Sequence, residues 1–210
     1  MRFSDAKRDQ YRLLARENGY RSRSAYKLIQ LNLKYKVLRK GDVVVDIGCF
    51  PGGWLQVLAE QIGNKGKIIG VDLQSPEPLK NVILLQGSVE DSKLPSELLE
   101  ATHQYCDVFL SDLSPSVSGI WHYDHVRQIS LSLSALRLAL TILRNGGNAI
   151  FKVFEGEMAK EFKEKVSGNF AKMWISKPRA SRQESSEFYI VCKNYIRREL
   201  NQSVLYLDPK

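Results

Sequence analysis

Short apolar runs alternate with helix-like patterns through most of the chain after Asp42. Apolar residues at three- and four-residue spacing predict helices, and the short runs predict strands. The predicted helices cover residues 53–62, 95–102 and about 123–143, and the predicted strands cover 43–47, 67–71, 82–85, 108–111 and 148–153. Strands that alternate with helices in this way are typical of a parallel sheet with helices on both faces.

Two more strands are predicted near the end of the chain, at residues 171–175 and 187–192. They are separated by the basic polar loop "SKPRASRQESS", in which no helix is evident. This arrangement predicts a hairpin at the sheet edge, with the last strand antiparallel to the others. The expected fold is therefore α/β and Rossmann-like, with a mostly parallel seven-stranded sheet, an antiparallel last strand and helices on both faces.

The beginning of the chain has a different pattern from the rest. Residues 5–18 and about 22–35 predict two helices whose apolar residues lie near one face. We expect a basic helical arm over residues 1–40 that packs on the main domain, residues 41–195. Residues 196–210 are expected to form a loosely held tail.

Positive charge is concentrated in the predicted arm. The net charge of the chain is +8, and residues 1–40 hold 12 basic and three acidic side chains, which is a net +9. The remaining 170 residues carry 19 basic and 20 acidic groups, a net −1. A basic segment of this kind favours a polyanion such as a nucleic acid, with a membrane surface or a simple solvated helix face as alternatives.

Composition sets further limits. The chain has 210 residues, 43% of them hydrophobic, which is enough for one core without disulfide or metal support. Its three cysteines are far apart, which favours reduced thiols over a disulfide framework or a zinc site. His122 and His125 have no third ligand in view, so no metal site is predicted. No secretory signal or membrane anchor is evident, and we expect a cytoplasmic protein.

The stretch "VVVDIGCFPGGW", Val43 to Trp54, predicts a buried strand that ends in a tight glycine turn before a helix. It lacks both the Gly-Lys-Ser/Thr of a phosphate-binding loop and the GxGxxG spacing of a dinucleotide site. Asp46 directly before the turn favours a cationic ligand, and Asp72 at the end of the next strand can accept the hydroxyls of a ribose. These features favour S-adenosylmethionine, with a nicotinamide or flavin site, or a turn that only reverses the chain, as alternatives.

Charged residues also occur where other predicted elements begin or end. Asp112 ends the fourth strand, Lys152 closes the fifth, Glu187 begins the last and Lys27 lies near the start of the second helix. The predicted topology can bring two lysines and two carboxylates to one cleft. Taken singly, each residue is better explained by an ion pair, a lysine that extends to solvent, or a helix cap.

Five stretches occur in an order and spacing that resemble the FtsJ (RrmJ, RlmE) family of ribose 2′-O-methyltransferases, over residues 18–194. They are "RSRSAYKL", "VVDIGCFPGGW", "SDLSPSVSG", "FKVFEGE" and "KPRASRQESSEFY". The resemblance implies an S-adenosylmethionine-dependent methyltransferase fold and places the family's Lys-Asp-Lys-Glu tetrad on Lys27, Asp112, Lys152 and Glu187. Together with the glycine turn, it gives this set of residues around the cofactor: Asp46, Gly48, Pro51, Gly52, Gly53, Trp54, Asp72, Ser88, Val89 and Asp112.

One position departs from the family pattern. After the third strand the family usually has "QGD", whose carboxylate accepts the adenine amino group, whereas this chain has "QGSVED" with Ser88 at that place. A neutral hydroxyl is a weaker acceptor than a carboxylate. Backbone amides near Val89, or the side chains of Glu90 or Asp91, are expected to compensate.

The resemblance implies methylation of a ribose in RNA, expected to be a uridine of large-subunit ribosomal RNA. A tRNA anticodon-loop ribose is the alternative, followed by a small-molecule methyltransferase and an inactive RNA-binding protein. We expect Lys152 to orient and deprotonate the acceptor hydroxyl, Asp112 to hold Lys152 and the cofactor amine, Lys27 to position the acceptor, and Glu187 to orient the lysines. Phosphate contacts are expected from Arg8, Arg12, Arg16, Arg21, Arg23, Lys177, Arg179 and Arg182. For Tyr20 and Trp121, stacking on a base and a place in the core are equally good explanations.

Overall fold

The computed structural model describes residues 9–116 and 118–197. The start of the first predicted helix, the predicted phosphate contact Arg8, and residues 198–210 of the predicted tail lie outside the described residues. The helices are α1 (Gln10–Glu17), α2 (Ser24–Tyr35), α3 (Gly53–Ile62), α4 (Leu94–Thr102), α5 (Trp121–Ile142) and α6 (Ala159–Ser167). The strands are β1 (Val43–Ile47), β2 (Lys67–Asp72), β3 (Val82–Gln86), β4 (Cys106–Ser111), β5 (Leu143–Phe154), β6 (Phe170–Ser176) and β7 (Glu187–Tyr195).

The strands form one seven-stranded sheet in the order β3-β2-β1-β4-β5-β7-β6. Strands β1 to β5 are parallel, whereas β7 runs antiparallel to both of its neighbours, β5 and β6. The predicted fold class is therefore confirmed, and β6 and β7 form the expected hairpin at the edge. The chain order reverses between β1 and β4, and in such sheets the crevice beyond the carboxyl ends of these strands is where ligands bind.

Each face of the sheet is covered by helices and has its own apolar cluster. Alternate residues of one strand belong to different clusters, because side chains along a strand point to opposite faces. In β1, for example, Val43 and Val45 join the cluster under α4, α5 and α6, whereas Val44 joins the cluster under α2 and α3. In β7, Ile190 belongs to the first cluster and Tyr189 to the second. No helix of the described ranges is both long and apolar enough to cross a membrane.

The sequence analysis did not predict helix α6. Only Ala159, Phe162 and Val166 of this helix are buried, and five of its nine residues are charged. Three apolar positions over two turns give a weak helical pattern, and packing against the sheet stabilises the helix instead. Strand β5 also begins at Leu143, five residues before the predicted start, directly after α5.

The segment that follows α2 is fixed to the sheet by buried polar contacts. The side-chain amide of Asn148, on β5, donates to the carbonyl of Val37 at 3.0 Å, and its oxygen accepts from the Asn194 backbone at 3.4 Å. The Lys193 ammonium donates to the carbonyls of Tyr35 and Lys36, at 3.2 and 3.1 Å. These bonds hold the carboxyl end of α2 against β5 and β7.

We predict that Asn148→Ala lowers the free energy of unfolding by about 1–3 kcal/mol, because it leaves the Val37 carbonyl and the Asn194 amide without their partner. Urea unfolding monitored by circular dichroism measures the change. Asn64→Ala, at an exposed loop position, is the matched control and should change stability by less than about 0.5 kcal/mol. Equal effects of the two substitutions would contradict the role assigned to Asn148.

Candidate active site

The glycine turn connects β1 to α3 at the carboxyl edge of the sheet. Gly48 and Gly52 have φ angles of +81° and +105°, which are strained for residues with a side chain. A β-carbon on Gly52 would lie 2.6 Å from the Arg21 guanidinium, and one on Gly53 would overlap the Ser22 hydroxyl. The glycines therefore allow the segment before α2 to pack directly on the turn.

Trp54, at the start of α3, fixes this contact from the other side. Its indole nitrogen donates to the Ser24 carbonyl at 2.8 Å, and its ring centroid lies 6.0 Å from that of Tyr189. Because the indole is buried among α2, α3 and β7, only the backbone of Trp54 is free to face a ligand in the turn.

Two aspartates lie beside the turn. Asp72, half-buried at the end of β2, accepts hydrogen bonds from the backbone of Phe50 at 2.9 Å and of Gln74 at 3.0 Å. Asp46, on β1, is fully buried, and neither of its carboxylate oxygens has a hydrogen-bond partner among the described residues. Burial raises the pKa of Asp46 well above its usual range, and the nearby Asp112 and Asp72 carboxylates raise it further.

The turn after β3 completes this end of the crevice. The Gly87 amide donates to the Asp72 carbonyl at 3.0 Å, which places Ser88 close to Asp72. Ser88 is half-buried, and its hydroxyl accepts from the Glu90 amide at 3.2 Å, while Val89 is buried. Pro51, in the glycine turn, is half-buried. The residues predicted around a cofactor therefore come from β1 and the turn after it, the end of β2, the turn after β3, and Asp112 after β4.

Lys152 and Asp112 form the first of two ion pairs. The Lys152 ammonium donates to the Asp112 carbonyl at 2.8 Å and lies 3.4 Å from its carboxylate. The Asp112 amide donates to the Ile47 carbonyl at 3.1 Å, which places Asp112 beside the end of β1. Gln128 and Ser132, on α5, both donate to the Lys152 carbonyl and fix the backbone of β5 at this point.

Lys27 and Glu187 form the second ion pair, with 2.5 Å between the ammonium and the carboxylate. Both residues are only 8% exposed. Lys27 lies on α2, and Glu187 is the first residue of β7, which pairs with Phe154 at the end of β5. The start of β7 reaches the same edge as Lys152 because β7 runs antiparallel to β5.

Tyr189 joins the two ion pairs, and the sequence analysis did not single it out. Its hydroxyl donates to the Asp112 carboxylate at 2.7 Å, and the Lys27 ammonium lies 5.7 Å from its ring centroid. Burial and the Asp112 carboxylate raise the pKa of Tyr189 well above its ordinary value, so the hydroxyl remains a donor. The signal in the sequence was its position two residues after Glu187, which places both side chains on one face of the strand.

The predicted phosphate contacts divide into two groups. Arg12 and Arg16 on α1, and Lys177, Arg179 and Arg182 in the loop between β6 and β7, are exposed. Within this group Lys177 also donates to the carbonyls of Gln183 and Ser185. Arg21 and Arg23 are half-buried against the protein. Arg21 donates to the carbonyls of Glu77 and Pro78, while Arg23 pairs with Asp9 and donates to the Ala180 carbonyl.

Arg23 thereby links the arm to the loop between β6 and β7. Arg182 lies 3.9 Å from Asp9, and the Gln30 side chain accepts from the Ala180 amide at 3.1 Å. The arm and this loop, which carry the exposed arginines, therefore pack against each other, and Arg23 lies four residues before Lys27.

The two aromatic residues considered for base stacking have different environments. The Tyr20 hydroxyl donates to Glu60 at 2.8 Å and its ring packs edge-on against Tyr26, whereas Trp121 is 52% exposed. The Trp121 ring stacks on His125 and Phe154, with centroids 6.0 and 6.3 Å apart. Since Phe154 pairs with Glu187, the exposed indole lies near the Lys27–Glu187 ion pair.

The candidate metal ligands do not converge. His122 is exposed, and the Nε2 atom of the buried His125 accepts a hydrogen bond from the Met158 backbone at 3.3 Å. Within residues 9–116 and 118–197, no group of three or more His, Cys, Asp or Glu side chains could hold a metal ion.

Comparison with known proteins shows the family to which this chain belongs. The sequence model of the FtsJ-like methyltransferase family matches residues 20–195. A relative from Cenarchaeum symbiosum, named ribosomal RNA large subunit methyltransferase E, is 48% identical over 93% of this chain and 99% of its own length. A solved Plasmodium falciparum structure, named as a ribosomal RNA methyltransferase, is 34% identical with a TM-score of 0.78, and the alignment covers 85% of this chain and all of that one.

A more distant structure shares the fold. Fibrillarin from Aeropyrum pernix, solved with natively bound S-adenosylmethionine, is 18% identical with a TM-score of 0.56, and the alignment covers 83% of this chain and 76% of that chain.

The buried Asp46 carboxyl yields a prediction about pH. Because its folded-state pKa is raised above the unfolded value of about 3.9, its contribution to stability is complete below that value and is lost as the pH rises through the folded-state pKa. Asp46→Asn removes this loss, so the ligand-free variant should be more stable than the wild type near neutral pH. The difference should shrink as the pH falls towards about 4.

Thermal unfolding of the ligand-free protein over this pH range tests the prediction. Glu97→Gln, at an exposed acid on α4, is the control and should show no such trend. An Asp46→Asn variant that is less stable than the wild type at every pH would show that an unseen partner satisfies the carboxylate.

Proposed function

Because the chain belongs to the FtsJ-like methyltransferase family, we propose that it transfers a methyl group from S-adenosylmethionine to a ribose 2′-hydroxyl of RNA. The proposed acceptor is a uridine of large-subunit ribosomal RNA, in line with the name of the Cenarchaeum relative. The observation that carries the proposal is the tetrad, in which Lys27, Lys152 and Glu187 are buried and Asp112 is half-buried. Its two ion pairs, joined by Tyr189, lie at the carboxyl edge beside Asp46, which has no hydrogen-bond partner among the described residues. A protein that only binds RNA has no need to bury Lys152 in an apolar strand.

The crevice fits S-adenosylmethionine on chemical grounds. A buried carboxylate without a partner is costly, and a cationic ligand would offset that cost. Asp46 and Asp112 would hold the cationic methionine end, Asp72 the ribose hydroxyls, and the turn at Ser88 and Val89 the adenine. Backbone groups of Gly48, Pro51, Gly52, Gly53 and Trp54 would line the remaining wall. When bound, the cofactor supplies an electrophilic methyl group.

The tetrad would act on the acceptor. Lys152 would orient the 2′-hydroxyl and take its proton at Nζ, which requires the neutral amine, while Asp112 holds the lysine in place. Lys27 would position the acceptor and stabilise the negative charge that develops on its oxygen, and Glu187 would hold Lys27. Alignment of the hydroxyl with the methyl group would supply much of the acceleration.

RNA is the natural acceptor because only RNA carries a 2′-hydroxyl. The exposed Arg12, Arg16, Arg179 and Arg182 support phosphate binding on the surface beside the tetrad. Trp121 offers an exposed indole face for a base near the target nucleotide.

Since ribosomal RNA is the proposed substrate and all three cysteines are buried free thiols, we propose that the protein is located in the cytoplasm.

We predict that Lys152→Ala lowers the methyl transfer rate by at least about 100-fold, because the acceptor proton loses its base, while cofactor affinity changes only a few-fold. Incorporation of labelled methyl groups into large ribosomal particles, free ribosomal RNA and tRNA measures the rate, and calorimetry measures the affinity. Lys160→Ala, at an exposed lysine on α6, is the matched control. Near-normal turnover of Lys152→Ala would remove Lys152 from the mechanism.

The same assay tests the acceptor. Mapping of 2′-O-methyl groups should locate the product at a uridine of large-subunit ribosomal RNA. A product confined to the tRNA anticodon loop would replace ribosomal RNA as the substrate, and no RNA product from any of the three acceptors would contradict the proposed function.

A further prediction concerns adenine recognition. Ser88→Asp should lower the Kd for S-adenosylmethionine about 5-fold, because a carboxylate accepts the adenine amino group more strongly than a hydroxyl does. Isothermal calorimetry measures the change, and Ser92→Asp, which adds the same charge at an exposed position, is the control. Unchanged or weaker affinity in Ser88→Asp would contradict the assignment of Ser88 to the adenine.

A further inference from the structure

We propose that a second site, on the edge strand β6, binds an unpaired segment of the same RNA whose ribose is methylated; this inference rests on the proposed function. The site is a cleft of about 590 Å³ between the carboxyl end of α2 and the hairpin of β6 and β7. We name it the edge cleft, and its main lining residues are Lys34, Tyr35, Arg39, Lys172, Trp174 and Lys193. None of them belongs to the tetrad or to the phosphate contacts predicted from the sequence.

The edge cleft is strongly cationic. Four of its lining residues are basic and none is acidic. Within the part of the chain that the structure describes, none of the four forms a salt bridge, although the Arg39 backbone donates to Asp42 at 2.8 Å. Four like charges gathered around one cleft repel each other, and an anionic ligand such as a chain of phosphates would remove that repulsion.

Aromatic rings give the edge cleft a second property. The Tyr35 and Trp174 rings lie 5.5 Å apart at 38°, and Trp174 is 37% exposed. The Lys34 ammonium lies 5.0 Å from the Tyr35 ring centroid, and Lys193 is fixed by the carbonyls of Tyr35 and Lys36. Aromatic faces beside cations bind bases and phosphates of single-stranded nucleic acid, whereas the bases of a duplex are stacked on each other and cannot reach such rings.

The sheet connects the edge cleft to the tetrad. Glu187, Tyr189 and Lys193 are separated by even numbers of residues along β7, so their side chains share one face of the sheet. Lys172 pairs with Lys193, and Trp174 pairs with Val191, on the same face. Lys193 is six positions after Glu187, which is about 20 Å along the strand. Because α2 covers Tyr189 and Val191 between the two sites, one RNA strand would contact both by passing over the outer surface of α2.

A protein strand is the main competing occupant, because the outer side of β6 has no partner strand in the described sheet. The four basic residues of the cleft favour RNA over a protein strand. A protein strand that pairs with β6 needs main-chain hydrogen bonds and apolar pockets, and neither of these accounts for four unpaired cations around the cleft. Phosphates account for the cations and bases account for the exposed indole, so the observations favour RNA.

The test measures binding of a short fluorescein-labelled single-stranded RNA of mixed sequence by anisotropy, over a range of salt concentrations. Lys34→Gln with Lys172→Gln should weaken binding and reduce the salt slope by about 1.4, since each cation on a single strand contributes about 0.7. Trp174→Ala should weaken binding at least about 5-fold with little change in slope, and Trp174→Phe should retain most of the affinity. Lys65→Gln with Lys160→Gln, two exposed lysines outside the cleft, is the matched control.

Methyl transfer assays on the same variants separate this inference from the proposed function. The cleft variants should raise KM for ribosomal RNA and leave kcat and the Kd for S-adenosylmethionine unchanged, since the tetrad is intact. RNA affinity and salt slope that match those of the control variant would overturn the inference. A wild-type protein that binds RNA through the edge cleft but transfers no methyl group would overturn the proposed function and leave the cleft assigned.

Discussion

Two lysine ammonium groups are buried at one edge of this sheet, and such burial is tolerated only where carboxylates are buried with them. Lys152 is 7% exposed and Lys27 is 8% exposed, and each has its own acid, Asp112 or Glu187. The four residues come from β5, α2, the end of β4 and the start of β7. Their meeting depends on the antiparallel direction of β7, because a parallel last strand would place Glu187 at the opposite edge.

The same requirement explains why the N-terminal helices are tied so closely to the rest of the chain. Lys27 reaches Glu187 only if α2 is held in register with β7. Trp54 fixes the start of α2, Asn148 fixes the segment after it, and Lys193 holds its last carbonyls. Gly52 and Gly53 allow this close packing because they have no side chain. A side chain at either position would push the segment before α2 away from the turn. The basic arm therefore has two roles: it contributes Lys27 to the tetrad, and it carries exposed arginines nearby.

Much of the fold was predictable because it follows from local patterns. The alternation of apolar runs with helical periods predicts the parallel strands, and the helix-free loop before Glu187 predicts the hairpin. Helix α6 was missed because three buried residues among five charged ones give little local signal, and tertiary packing decides its structure. Likewise, the residue types at the strand ends allowed one cleft with two lysines and two acids, and the family resemblance assigned the four residues. The pairing of each lysine with one acid depends on distances that no local pattern encodes.

Tyr189 and the edge cleft also could not be predicted from local patterns, because their contacts join residues that are far apart in the sequence. Tyr189 looks like an ordinary core residue in the sequence, and its contact with Asp112, 77 residues away, appears only when β7 lies beside β5. In the edge cleft, Tyr35 and Trp174 are distant in the chain and become neighbours because Lys193 of β7 binds the end of α2 while β6 pairs with β7. The sequence analysis located basic residues in the arm, but it had no means to separate Arg21 and Arg23, which contact the protein, from Arg12 and Arg16, which face solvent.

The charge distribution around the crevice gives a physical reason for the cofactor and the RNA of the proposed function to bind on either side of the buried lysines. The end formed by β1, the end of β2 and the segment after β4 has three carboxyl groups, Asp46, Asp72 and Asp112, and Asp46 has no hydrogen-bond partner among the described residues. The surface beyond the tetrad is basic. A cationic small molecule is favoured at the first end and a polyanion at the second, and the buried lysines lie between them. A ligand that binds only the folded protein also stabilises it, so the cost of burying Asp46 alone is offset when that end is filled. Under the proposed function, Asp46 would thus couple the stability of the fold to binding of the cofactor in the crevice.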